Sequence, residues 1–370
     1  MAQAAQFHLD HNAGTTVDPR VLEQYVAVER SCPGNPASVH ALGRRAAAIV
    51  EAARAQVASA LQVEPDGVVF CSGGTEANNC AVLGLGDPGL PVLLAPVEHP
   101  SVLEPARLRG VAPWSVDAGG RALVTQPDRR IGLLCLVHAQ SELGTLQPVV
   151  AAADLAANLQ VPLHVDAAQS LGRVPLDEIL RADSIALSPH KCGGLRGGGV
   201  LVLRNRGGAL RPLLRGGGQE RGRRAGTVSP ALAAANALAI DLAVRETSAR
   251  GLRMAAARDA FVRALQRARV RCRSLTPAAA LPNTAMIAFL GVDGRNLLPA
   301  LDLEGVVASH GSACSSGSPQ PPAILAAIGL DEAAARACVR FSFGRDDDEE
   351  RGVSAAARVA AVLARIEKKS

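Results

Sequence analysis

Ser184-Ile185-Ala186-Leu187-Ser188-Pro189-His190-Lys191 is an apolar run that ends in a hydroxyl, an imidazole and an amine. A lysine is ordinarily solvated, but one delivered by the end of a buried strand is a candidate for attack on a carbonyl carbon. Leu163-His164-Val165-Asp166 is a second such run, and it closes on a carboxylate. An aspartate at the carboxyl end of a covered strand is costly unless it meets a cation, and ligands of open α/β sheets bind at that edge. A third run, Val69-Phe70-Cys71, breaks into Ser72-Gly73-Gly74-Thr75-Glu76-Ala77. Glycines let backbone amides close on an anion, Thr75 adds a hydroxyl, and a helix start adds positive potential, so this turn is a candidate phosphate cradle. Read alone, it is equally well a plain glycine turn capped by Thr75.

Such residues need a scaffold that brings several strand ends to one place. The chain has 370 residues, 48% of them apolar, enough for one large domain or two ordinary ones. From about residue 19 to 203, short β-branched runs alternate with longer amphipathic stretches, which predicts β-α units on a largely parallel sheet. Strands are expected at 67–71, 92–95, 133–137, 163–165, 184–187 and 200–203; several are apolar without alternation, as in strands covered on both faces. Residues 230–270 read as two helices broken near Gly251, and a domain boundary is placed there. Beyond it come a strand at 284–290, a helix at 295–303, a strand at 339–343 and a closing helix at 355–366. The expected fold is α/β: a large domain (14–250) with a mostly parallel sheet, and a smaller α+β domain formed by 1–13 and 251–370.

Composition excludes several classes. The net charge is +5 and only 2% of residues are aromatic, too few for base-stacking platforms, so direct DNA binding is not expected. No stretch of 18 apolar residues occurs, and the start MAQAAQFHLD lacks the basic and apolar regions of a secretory signal, which predicts a cytoplasmic protein without membrane association. Eight cysteines are scattered without a C-x-x-C, which argues against structural zinc or a disulfide framework, and no metal is expected. Gly84, Gly86 and Gly89 match a dinucleotide-binding spacing but follow a helical stretch, with Pro88 where the next helix should begin.

A phosphate cradle, an amine for an aldehyde and a carboxylate for a cationic ring nitrogen together describe a site for pyridoxal 5′-phosphate. The order of the three resembles the fold-type I enzymes of that cofactor. More specifically, Ser309-His310-Gly311-Ser312-Ala313-Cys314-Ser315-Ser316-Gly317 is similar to the active-site loop of the group I cysteine desulfurases, of the iron-sulfur assembly and nitrogen-fixation type, in the class V aminotransferase superfamily. Leu9-Asp10-His11-Asn12-Ala13, Gly34-Asn35-Pro36-Ala37-Ser38-Val39-His40, Glu98-His99-Pro100-Ser101-Val102, Arg215-Gly216-Gly217-Gly218-Gln219-Glu220-Arg221 and Val339-Arg340-Phe341-Ser342-Phe343-Gly344 extend the resemblance from end to end.

The resemblance implies a homodimer that removes sulfur from L-cysteine, leaving L-alanine and a persulfide on Cys314. Lys191 is then the residue that binds the cofactor aldehyde and moves the substrate α-proton, and Asp166 the partner of the ring nitrogen. Gln169 would bond the ring hydroxyl, and His99 would stack on the ring and act in proton transfer. Phosphate contacts are expected from Gly74, Thr75, Ser188 and His190, with Thr227 reaching in from a second subunit. Asn35 and Arg340 are expected to bind the substrate carboxylate, for which a guanidinium fork is suited. Cys314 stands among Gly, Ser and Ala, with Pro319, Pro321 and Pro322 following, which reads as a loop. Cys192, next to the lysine, reads as a small packed residue.

Two departures stand out. Where relatives carry Asn-Asn-Glu this chain has Gln140-Ser141-Glu142, so Ser141 occupies the position of a cofactor- and substrate-binding asparagine with a shorter side chain. The tail after Arg340 is brief, whereas many relatives dock a cluster scaffold with a longer one. Between Arg196 and Arg224 stand eight arginines against the single acid Glu220. They form either a solvated face with dimer contacts or a docking patch for an acidic sulfur acceptor or a transfer RNA, and a sulfur-acceptor protein or tRNA-thiolation enzyme is the expected partner. Another class V activity, such as selenocysteine lyase or aminotransferase, and a non-catalytic sulfur-relay homologue are the alternatives.

Overall fold

The computed structural model describes residues 6–204, 210–292, 294–310 and 322–367. Its strands are β1 (Phe7–His8), β2 (Val68–Cys71), β3 (Val92–Leu94), β4 (Val111–Pro113), β5 (Leu133–Val137), β6 (Leu163–Asp166), β7 (Ser184–Leu187), β8 (Gly199–Leu203), β9 (Cys272–Ser274), β10 (Thr284–Phe289), β11 (Val306–Val307) and β12 (Cys338–Ser342). The helices are α1 (Pro19–Ser31), α2 (Ala41–Leu61), α3 (Gly74–Gly84), α4 (Pro100–Arg109), α5 (Val149–Leu159), α6 (Pro230–Arg245), α7 (Thr247–Arg267), α8 (Gly294–Leu303), α9 (Ala323–Ala327), α10 (Glu332–Arg336) and α11 (Glu349–Glu367).

The seven-stranded sheet has the order β2-β8-β7-β6-β5-β3-β4. β8 pairs antiparallel with both β2 and β7, while the remaining pairs are parallel. β2, β5, β6, β7 and β8 are buried along their whole length, which explains their unbroken apolar runs. One consequence positions the site: the carboxyl ends of β2, β3, β5, β6 and β7 and the amino end of the reversed β8 all lie on one edge. The approach of β8 to β2 there needs glycine, because a Cβ on Gly199 would sit 2.3 Å from the carbonyl carbon of Gly73.

A second core joins Phe261, Phe289, Phe341 and Phe343 with Phe7, Leu9 and the inner face of α11. Within it β9, β10 and β12 form an antiparallel sheet, and the N-terminal β1 pairs in parallel with β11. Asp10 bridges to Ser342, so the N-terminal segment carries its side chains from the second core toward the large sheet.

Differences from the sequence expectation have local causes. The break between α6 and α7 falls at Glu246, and Gly251 lies inside α7, where its missing side chain faces the Arg173 carbonyl (a Cβ would come within 3.1 Å). α11 starts ahead of residue 355, because the Asp348 side chain accepts from the Arg351 N–H and Glu349 and Glu350 occupy the first turn. The arginine-rich segment is largely spent on its own chain. Arg221 and Arg223 pair with Asp66, Arg224 pairs with Glu76, and Arg211 donates to the Gly86 carbonyl; Arg206 lies outside the described residues. Among the described residues no helix is long and apolar enough to cross a membrane.

Candidate active site

A cavity of about 350 Å³ opens at the sheet edge, lined among others by Gly74, Thr75, His99, Ser141, Asp166, Gln169, Ser188, His190, Lys191 and Arg340. Residues far apart in sequence meet there because each follows a strand end, and Arg340 comes from β12 of the second core.

Asp166 ends β6 and is buried. Its Oδ1 accepts from the Ala168 N–H at 2.9 Å and its Oδ2 from Asn78 Nδ2 at 2.8 Å. A carboxylate only accepts, so the Asn78 amide nitrogen must face Asp166 and its oxygen must face His164 Nε2, 3.0 Å away. His164 therefore carries its proton on Nε2 and accepts on Nδ1 from Ser184 Oγ at 2.8 Å. Burial lowers the pKa of His164 to about 4, in keeping with a neutral ring.

His99 caps α4: its Nδ1 accepts from the Ser101 N–H at 3.1 Å and lies 2.7 Å from Ser101 Oγ. With Nδ1 occupied as an acceptor, the neutral ring carries its proton on Nε2. Burial lowers its pKa, against the attraction of Asp166. Its neighbour Glu98 is buried, accepts from the Val137 N–H at 2.8 Å, and is raised to about 8 by desolvation. His190, held through Nδ1 3.1 Å from Ser188 Oγ, is lowered to about 4, first by burial and then by Lys191.

Arg340 is almost wholly buried. Its Nη2 lies 2.5 Å from Asp10 Oδ1, its Nη1 donates to the Ser141 carbonyl at 3.2 Å, and its Nε has no hydrogen-bond partner among the described residues. The same Ser141 carbonyl accepts from Asn12 Nδ2 at 2.9 Å, so this position takes part through its backbone.

Two expected residues lie elsewhere in the protomer: Asn35 and Thr227 line a separate cavity of about 400 Å³ with Glu220 and Arg221. Cys314 lies outside the described residues. Cys192 is buried, with its thiol pushed up to about 11 by desolvation. Sequence reasoning missed Asn12, Asn78, Ser101, Arg173 and Arg196. Ser101 sits in a segment already singled out, two residues past His99, and Asn78 directly follows another, one helical turn past Thr75. Arg196 precedes β8, and only the reversal of that strand brings it to this edge. Arg173, buried, donates to the Gln169 side chain and to the carbonyls of His11 and Lys191, at 3.0 and 3.2 Å respectively.

The donor set fits a phosphorylated pyridine aldehyde. Each Asp166 oxygen keeps acceptor capacity for a protonated ring nitrogen. At the start of α3 a Cβ on Gly73 would meet nothing within 4 Å, and one on Gly74 would come within 3.2 Å of Ser188, so the glycines leave the backbone amides open to an anion. Gly74, Thr75, Ser188 and His190 would hold the phosphate and Lys191 the aldehyde.

Comparison with known proteins agrees over nearly the full length. The aminotransferase class-V family model matches residues 7–352. A cysteine desulfurase IscS of Dictyoglomus turgidum is 33% identical over 355 residues, covering 92% of this chain and 90% of that protein. Among solved structures, a NifS-like protein superposes with a TM-score of 0.87 at 30% identity, covering 98% of this chain and all (100%) of the other. The protein SspA in complex with cysteine superposes with a TM-score of 0.78 at 27% identity, covering 93% and 100%. By this match and by the geometry of the cavity, the chain belongs to the aminotransferase class-V family, a family of pyridoxal phosphate enzymes.

Proposed function

We propose that the protein is a cysteine desulfurase that takes sulfur from L-cysteine onto Cys314 and releases L-alanine. The observation that carries this reading is the meeting of Lys191, Asp166, the Gly74–Thr75 turn and the buried guanidinium of Arg340 around one cavity, in a chain whose relatives are named for this activity. When bound, pyridoxal phosphate supplies a carbonyl for amines and a ring that takes up the electron pair freed at the substrate α-carbon. Asp166 keeps the ring nitrogen protonated. Arg340 orients the substrate through its carboxylate, in exchange for the Asp10 carboxylate that now occupies the fork. Lys191 Nζ removes and returns the α-proton, and His99 Nε2 serves as a further proton donor. The Cys314 thiolate forms a bond to the substrate sulfur as the carbon–sulfur bond breaks, and that bond's electron pair stays with the carbon skeleton.

We read the chain as a cytoplasmic homodimer that hands its sulfur to an acceptor protein or a tRNA-thiolation enzyme. Support for the dimer is that neither Asn35 nor Thr227 lines the Lys191 cavity of their own protomer: they would complete the cavity of a second subunit. We place the division between cofactor and small domains near residue 250, supported by the second apolar core.

Incubation with L-cysteine and pyridoxal phosphate should release alanine and leave the Cys314 peptide heavier by one sulfur atom. Alanine production that survives Cys314→Ala would favour selenocysteine lyase or another class V activity. Absence of turnover, with no borohydride-reducible adduct at Lys191, would favour a non-catalytic relay.

A further inference from the structure

Next to the phosphate cradle in the chain stand two thiols and a carboxylate that the proposed reaction does not use. Cys71 ends β2, and Glu76 and Cys80 lie on α3; one ligand atom from each lies within 4.8 Å of the other two. Both cysteines are buried, 7% and 1% exposed. This is the one group of three or more such side chains among the described residues that is close enough to hold a metal ion.

We infer that Cys71, Glu76 and Cys80 form a binding site for a soft divalent cation of the zinc type. Tetrahedral zinc, with bonds of about 2.0–2.3 Å, asks for ligand atoms roughly 3.5–4 Å apart, a spacing compatible with three atoms that all lie within 4.8 Å of one another. Two thiolates and one carboxylate suit that cation and leave a fourth position for water. Access exists: Cys71 lines a cavity of about 130 Å³ that reaches Arg224 and Thr227.

Charge closes the argument. Two thiolates, a carboxylate and a dication sum to one negative charge, and Arg224 is the cation beside them, with its Nε 2.7 Å and its Nη2 3.1 Å from the Glu76 oxygens. Arg224 therefore neutralises the loaded site, while the Ser72 N–H, 2.6 Å from Glu76 Oε2, fixes the carboxylate from the other side. On loading, two S–H bonds break, two metal–sulfur bonds form, and the protons leave to buffer.

The test is equilibrium dialysis of Zn²⁺ against the holoenzyme in a Cys314→Ser background, with metal measured by atomic absorption. Expected is one Zn²⁺ per chain with release of protons, weakened at least tenfold by Cys80→Ser and by Glu76→Gln and unaffected by Cys135→Ser, a buried cysteine outside the cluster. Thermal unfolding of each variant checks that it folds; should the cysteine variant fail, Glu76→Gln, on the less buried member, decides. No Zn²⁺ on the parent, binding unchanged by both cluster variants, or equal loss in Cys135→Ser would each overturn the assignment.

Discussion

Replacing Asn78 with alanine tests whether Asp166 is held for its task by a neighbour on another element. Asn78 is 1% exposed and donates to Asp166 Oδ2 at 2.8 Å and to Ser101 Oγ at 2.8 Å while accepting from His164. A hydrogen bond to a charged acceptor contributes about 1.5–3 kcal/mol. Because the Ala168 N–H still holds Oδ1, the lower half of that range applies, and each 1.4 kcal/mol is about tenfold in affinity. Titration of apoprotein with pyridoxal phosphate, followed by absorbance, should therefore show binding weakened roughly 10- to 40-fold. The buried His164 N–H also loses its acceptor, at a further cost in stability of about 1–3 kcal/mol, read by denaturant unfolding. Asn79→Ala is the control: its amide donates to the carbonyls of Thr75 and Ser101, without touching Asp166, and should leave cofactor affinity within about twofold. A folded Asn78→Ala variant that binds the cofactor as tightly as the parent would refute the chain of reasoning from Asn78 to Asp166.

Glu98 is raised to about 8 by burial, so the folded state favours its protonated form. The stability it contributes is complete below the ordinary carboxylate pKa near 4.5 and is lost as pH rises toward 8, a window in which unfolding measurements on Glu98→Gln should show a flatter pH dependence and greater stability at the alkaline end, by about 1–3 kcal/mol. Asp10→Asn removes the carboxylate that occupies the Arg340 fork; KM for L-cysteine should fall severalfold, and a rise in KM would instead make Asp10 a required orienter of Arg340. Gly199→Ala forces a Cβ to 2.3 Å from the Gly73 backbone, which cannot yield cheaply, and should cost about 1–3 kcal/mol in stability and weaken cofactor binding together. Unchanged cofactor titration in that variant would show that the cradle tolerates displacement of its first glycine.

The strands of the large sheet were legible because burial on both faces writes itself as uninterrupted β-branched and apolar runs, and β5 and β7 coincide with the runs that predicted them. The shorter strands β1, β4, β9 and β11, of two or three residues each, carry no such pattern. They exist because a neighbour offers them an edge: the longer β10 for β9, β3 for β4, and β1 and β11 for each other. The helix break at Glu246 was placed too late because glycine was read as a breaker, whereas Gly251 serves close packing against the Arg173 carbonyl.

For the site, the sequence by itself determined which candidate groups stand at strand ends: Lys191, Asp166 and the Gly74–Thr75 turn each close or follow a strand, and chain connectivity alone delivers strand ends of a parallel sheet to one edge. What only the tertiary structure decided is the company those groups keep. Asn78 meets Asp166 across 88 residues of sequence, and Asp10 meets Arg340 across 330. The reversal of β8 brings Arg196 to the cavity, and the Asn35 and Thr227 positions fall away from it. Local spacing records the periodicity of one element, but a hydrogen bond between elements depends on strand order and register, which the packing of the whole chain selects.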